Sequence, residues 1–164
     1  MIIAIASVDK NFGIGYNNEL LEMIPGDMNY FKIVTKDKIV IMGSNTWESL
    51  PNKPLENRFN AIITRTPPEE KRTETYGFYT WEEIKSFLSK DLDVNIFIIG
   101  GGYVYKELLP YCDKIYLTYM DIEHENVDTY FPELTEEEWQ EVMVGDWEEH
   151  EGISYQFRHY ERIK

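Results

Sequence analysis

The chain has 164 residues, 43% of them hydrophobic and 15% aromatic, which suffices for a core and excludes disordered and collagen-like classes. Lys plus Arg number 16 against 30 Asp plus Glu, a net charge of −14, so phosphate backbones and anionic membranes are poor partners. Cys112 is the only cysteine, which excludes an intrachain disulfide and a thiolate metal cage and fits a reducing, cytoplasmic setting.

Ile2 to Val8 is almost wholly apolar and reads as a strand buried on both faces; it is too short to span a bilayer and lacks a basic leader. Asp9 to Ile24 reads as a loop, with Gly13 and Gly15 permitting close backbone approach to a ligand. Pro25 suits the first position of a helix running to Thr35. On that helix Asp27, Phe31 and Val34 share one face. Lys38–Gly43 is a second buried strand, and Asn45–Leu50 a short helix capped by Ser44 or Asn45. Phe59–Thr64 is a third strand. Thr80 and Glu83 have capping-box spacing at the start of the next helix. Asn95–Ile99 is again apolar, followed at once by Gly100-Gly101-Gly102 and a helix from Tyr103 to Leu109. Lys114–Met120 is a strand, and Trp139–Ile163 reads as an antiparallel hairpin. Repeated strand–helix–strand units predict one α/β domain over 1–164, a mostly parallel sheet with an antiparallel edge.

The strand–Gly100-Gly101-Gly102–helix junction is the clearest chemical signal. Its glycines let backbone approach a bulky anion, and the helix start points free N–H groups at it. Gly43-Ser44-Asn45-Thr46 is a second such junction, which an ordinary helix cap would also explain. Asp27 on an apolar helix face is costly unless paired or functional. Its first-turn position favours the anion, whereas desolvation beside Phe31 favours the neutral acid. His124, His150 and His159 show no metal-ligand spacing and read as surface or packing residues; no metal site is expected. The acidic stretch from Glu133 to Glu151 reads as a solvated face.

Taken together, these residues resemble the dihydrofolate reductase family. The resemblance rests on Ile5-Ala6, Gly13-Ile14-Gly15, Pro25-Gly26-Asp27 with Phe31-Lys32, Val40-Ile41-Met42-Gly43, Thr46-Trp47-Glu48-Ser49-Leu50, Pro54-Leu55 and Arg58. It continues through Ile99-Gly100-Gly101-Gly102 with Val104-Tyr105, Tyr116-Leu117-Thr118 and Asp128-Thr129-Tyr130-Phe131-Pro132, and so spans nearly the whole chain. It implies a three-layer sandwich, with about four helices flanking the sheet. It also implies NADPH-dependent reduction of dihydrofolate to tetrahydrofolate, with hydride passing to pterin C6 and a proton to N5.

Roles follow from the resemblance. Asp27 accepts hydrogen bonds from the pterin amine and N3, and Thr118 bridges the two. Ile5 and Ile99 offer carbonyls to the ring. Phe31, Leu50 and Leu55 sandwich the pterin and aminobenzoyl group, and Arg58 holds the glutamate carboxylate. Ala6, Ser7 and Ile14 line the nicotinamide pocket, with Tyr105 nearby. Gly43, Ser44, Asn45 and Thr46 meet the adenosine pyrophosphate from one side, and Gly100, Gly101, Gly102, Tyr103 and Val104 from the other. Asn11–Ile24 becomes a mobile lid. A monomer that binds antifolates, without nucleic-acid or membrane partners, is the family expectation.

Two departures stand out. Glu22 occupies the position of a family tryptophan that helps order an active-site water. It either joins the catalytic set, orienting that water or raising the pKa of Asp27, or faces solvent. Ser44 and Tyr103 are uncharged where relatives often carry basic residues, which leaves Arg65, beside Thr64, as the clamp for the 2′-phosphate. Two other readings stay open: a pyrimidine reductase of riboflavin synthesis on the same architecture, and a non-catalytic acidic binding module.

Overall fold

The computed structural model describes residues 1–164. Twelve strands and four α-helices alternate along the chain. In order they are β1 (Ile2–Val8), β2 (Gly13–Tyr16), β3 (Glu19–Leu20), α1 (Pro25–Thr35), β4 (Ile39–Gly43), α2 (Ser44–Ser49), β5 (Phe59–Ile63) and β6 (Tyr76–Tyr79). Then follow α3 (Trp81–Leu88), β7 (Ile96–Gly100), α4 (Gly102–Leu108), a 3₁₀ turn at Leu109–Tyr111, β8 (Lys114–Met120), β9 (Thr129–Tyr130), β10 (Trp139–Val144), β11 (Glu148–His150) and β12 (Ile153–Arg162).

The main sheet runs β10-β12-β8-β1-β7-β4-β5-β6, with β11 paired to β12. Strands β8 through β6 are parallel, and β12, β10 and β11 add the antiparallel edge. Strand alternation explains the three layers. Ile2, Ala4 and Val8 of β1, Ile41 of β4, and Ile96 and Ile98 of β7 point to one face, where Ile84 and Leu88 of α3 and Val104 and Leu108 of α4 cover them. Ile3, Ile5, Val40, Met42 and Phe97 point to the other, against Trp47 of α2 and Phe31 and Val34 of α1. Continuous apolar runs are what a sheet covered on both faces requires.

The structure corrects several expectations. Residues 9–24 are not all loop: β2 and β3 form a small hairpin, and β9 joins β2 in a separate three-stranded sheet. These strands are too short to carry an alternating pattern, and their pairing comes from a distant segment. Strand β6 is a further element that periodicity does not announce. Neither Ser44 nor Asn45 caps α2: the N-cap is Gly43, without a side-chain bond. The C-terminal hairpin is three strands rather than two, because Gly152, at φ +83°, turns β11 back into β12. The capping box of α3 is present: Thr80 Oγ1 accepts from Glu83 N at 3.2 Å and Glu83 Oε1 from Thr80 N at 3.1 Å.

Cys112 is buried beside α4, where its Sγ donates to Leu108 O at 3.5 Å. Burial pushes the thiol up to about 12.

Candidate active site

Strands β1, β4, β5 and β7 end side by side, and each hands the chain to a loop or helix at the same edge of the sheet. In open parallel sheets that edge is where ligands bind. Helix α1 approaches it from one side. Its first position is Pro25, as the sequence predicts, and its N-cap Ile24 is 2% exposed, packed with Met120 and Tyr155. This anchorage fixes the direction in which Asp27, in the first turn, presents its carboxylate.

Asp27 meets β8 there: Thr118 Oγ1 donates to Asp27 Oδ1 at 2.5 Å. Burial raises the carboxyl pKa of Asp27, and the Thr118 bond partly opposes it. Ser7 faces the same carboxylate and also favours its charged form, but lies outside good bonding geometry: Ser7 Oγ is buried without a hydrogen-bond partner. Glu22 is not among the groups that move Asp27.

The wall beside Asp27 is apolar. Phe31, Leu50, Leu55 and Ile99 are half-buried and pack on the same core cluster as Ile3 and Ile5. Arg58 borders this wall. Its Nε donates to Glu56 O at 2.8 Å and its Nη1 to Thr35 Oγ1 at 3.2 Å, and the guanidinium lies 5.8 Å from the Phe31 ring centre. Tyr105 Oη donates to Ile5 O at 2.6 Å, so the Ile5 carbonyl keeps one lone pair for another donor.

The two glycine junctions meet each other. A Cβ on Gly43 would stand 3.0 Å from Val104 Cγ2, and one on Gly101 would stand 3.6 Å from Thr46 Oγ1. Gly100 has φ +117°, a conformation that side chains rarely adopt, and a Cβ there would stand 3.2 Å from the Tyr105 ring. Gly102 begins α4, and Tyr103 beside it is exposed. Ser44 and Asn45 are also exposed. Ala6 and Thr64 are half-buried, and Arg65 is exposed just past β5. Ile14, on β2, is 8% exposed and belongs to the core facing α4.

Two residues here, Asn60 and Asp9, are not singled out by sequence reasoning. Asn60, 0% exposed, holds the 55–58 loop: Leu55 N donates to its Oδ1 at 2.9 Å, and its Nδ2 donates to Leu55 O at 3.0 Å and Arg58 O at 3.1 Å. A lone amide inside the apolar run Phe59-Asn60-Ala61-Ile62-Ile63 was the available signal. Asp9 is buried at the base of the 9–24 segment, and His124, far from it in sequence, donates to it. His124 is thus neither free surface nor plain packing. Glu22 does not simply face solvent: its Oε1 lies 3.0 Å from His124 Nε2.

The family model described as dihydrofolate reductase matches residues 1–162. The dihydrofolate reductase of Bacillus subtilis is 36% identical over 169 aligned residues, covering 99% of this chain and 95% of the relative. That of Neisseria gonorrhoeae is 34% identical over 97% of this chain and 96% of its own length, and that of the pea-aphid Buchnera aphidicola is 39% identical over 80% and 79%. A half-buried carboxylate bonded to a strand threonine, above an apolar wall and beside paired glycine turns, is therefore set in a full-length match, and the chain belongs to the dihydrofolate reductase family.

Proposed function

We propose that this chain reduces dihydrofolate to tetrahydrofolate with NADPH, as one domain over 1–164 acting as a cytoplasmic monomer. The observation that carries the reading is the Asp27–Thr118 pair at 2.5 Å, partly buried at the sheet edge where the chemistry of the family takes place. No helix is long and apolar enough to cross a membrane.

Asp27 accepts hydrogen bonds from the pterin amine and N3 and favours protonation at N5. Its burial supports this role, because a carboxyl with a raised pKa exchanges protons nearer to working pH. Thr118 holds the carboxylate in place and shares the amine. Phe31, Leu50 and Leu55 supply the apolar sandwich. The Ile5 and Ile99 carbonyls orient the ring edge, and Arg58 takes the glutamate carboxylate in its planar fork. Antifolates that carry a protonated diaminopyrimidine fit the same carboxylate.

The opposite side suits a dinucleotide. Ser7 Oγ is a buried hydroxyl without a partner, which a polar group of a bound nicotinamide would satisfy. A side chain at Gly43 or Gly100 would press on Val104 or Tyr105, so glycine keeps the two turns close together at this edge. Ala6, Ile14 and Tyr105 would border the nicotinamide; Ser44, Asn45, Thr46, Gly101, Gly102, Tyr103 and Val104 would border the pyrophosphate; Thr64 and Arg65 would take the 2′-phosphate. NADPH bound there supplies the hydride. The protein supplies alignment, electrostatics and exclusion of water.

The test is NADPH oxidation with dihydrofolate, wild type beside Asp27→Asn. The variant is expected to lose roughly 10²–10⁴-fold at neutral pH and to recover partly in acid. Undiminished turnover would remove Asp27 from the proton route. No wild-type turnover with NADPH still bound would favour the pyrimidine reductase reading, against which Phe31 and Arg58 already count.

A further inference from the structure

We propose that His124 is a positioning residue of the reductase: its imidazolium clamps Glu22, at the end of the lid, to the buried Asp9 of the core. The inference concerns the lid and rests on the reductase reading only for the consequence in catalysis.

The geometry is that of a bridge between two carboxylates. His124 Nδ1 lies 3.1 Å from Asp9 Oδ2, and Nε2 lies 3.0 Å from Glu22 Oε1. Asp9 is fixed on its other side: its Oδ1 accepts from Asn11 N at 2.9 Å and Gly13 N at 2.8 Å. The backbone N of His124 adds a fourth contact, to Asp9 Oδ2 at 3.3 Å. The bridge therefore joins the β1–β2 turn, the β8–β9 loop and the segment that leads into α1. Glu22 stands two residues before Ile24, the N-cap of the helix that carries Asp27.

Only the doubly protonated ring serves both neighbours. A carboxylate is acceptor-only, and neutral imidazole carries a single N–H. On losing a proton the ring must leave one carboxylate facing a lone pair. Asp9 has a 0% exposed side chain, whereas that of Glu22 is 32% exposed and can turn to water. Abandoning the buried partner costs more, so the remaining N–H stays with Asp9 and Glu22 is released.

The sign follows from the surroundings. Burial alone lowers the His124 pKa, but the hydrogen bonds and charges of Glu22 and Asp9 outweigh it and the net shift is upward. The flanking charges of its own loop are Glu123 and Glu125, both exposed, and Asp121, which pairs with Lys10 at 3.6 Å. The clamp is complete below the ordinary imidazole value of 6.5 and is lost as pH rises through the raised one. A second tie to the lid does not involve the imidazole: Asn17 N donates to Asp128 Oδ2 at 2.9 Å and Asp128 N to Gly15 O at 3.1 Å. Release of Glu22 thus loosens the end of the lid next to α1 and leaves its tip attached.

The experiment follows the His124 ring protons by NMR across pH in the full chain, wild type beside Glu22→Gln. The wild-type midpoint is expected above 6.5 and the variant midpoint below the wild-type one. Amide exchange of residues 19–24, corrected for its intrinsic pH dependence, is expected to speed up roughly tenfold between mildly acid and alkaline pH in the wild type, and not in His124→Gln. Single-turnover hydride transfer should decline at high pH through one ionisation fewer in His124→Gln than in the wild type. An unchanged midpoint in Glu22→Gln, or the same pH-dependent exchange in His124→Gln, overturns the clamp. Absence of turnover alone would strike the reductase reading and leave the titration to decide the clamp.

Discussion

Ser7 and Thr118 stand opposite each other in the parallel register of β1 and β8, and both hydroxyls face one carboxylate, Asp27. Only Thr118 is bonded to it. The proton affinity of Asp27 is therefore a balance between burial, which raises it, and two hydroxyls of unequal strength, which lower it. Thr118→Val should shift the pH profile of hydride transfer upward, and Ser7→Ala should shift it the same way by less. Equal profiles for all three proteins would mean that neither hydroxyl sets the charge of Asp27.

The same burial carries a cost in stability. Asp27 has a raised folded pKa against an ordinary value of 3.8, so its contribution is fully present below 3.8 and is lost as pH rises through the folded value. At neutral pH the charged carboxylate opposes folding. Urea denaturation of Asp27→Asn should give a protein more stable than wild type by about 0.5–2 kcal/mol at neutral pH, with the gap closing in acid. A variant less stable at neutral pH would show that the Thr118 bond outweighs desolvation.

Asn60 links the core to the proposed substrate wall through the backbone of Leu55 and Arg58. Asn60→Ala strands the amide of Leu55 and frees three carbonyls, including Thr75 O at 3.3 Å. A loss of at least about 2 kcal/mol in stability is expected. Because Leu55 and Arg58 ride on this loop, KM for dihydrofolate should rise more than KM for NADPH. Comparable rises in both would assign Asn60 a purely global role.

Arg65 is an exposed cation two residues past the end of β5. Arg65→Ala should weaken the use of NADPH by roughly 1.5–3 kcal/mol in kcat/KM, as expected for one charge-assisted bond, while sparing NADH. If NADPH and NADH suffer equally, the 2′-phosphate is held elsewhere.

Much of the fold is legible from residue pattern because its central strands are buried on both faces. Ile2–Val8 and Ile96–Ile99 cannot be solvent-exposed, and Pro25, Thr80 and Glu83 mark helix starts by local chemistry alone. The small sheet is not legible, since Gly13 pairs with Tyr130 across a long stretch of chain and neither segment carries a period. Asp27 is legible as a misplaced charge on an apolar face. His124 is not: an imidazole gains meaning only from what surrounds it, and Asp9 and Glu22 both lie over 100 residues away.

The lone cysteine gives the molecule a built-in reporter. With its thiol pushed up to about 12 and its side chain sealed beneath α4, Cys112 offers almost no thiolate to an alkylating reagent in the native state. Labelling must wait for the junction of α4 and β8 to open. Its rate then counts those openings, and any ligand that binds only the closed protein should slow the count in proportion to its occupancy.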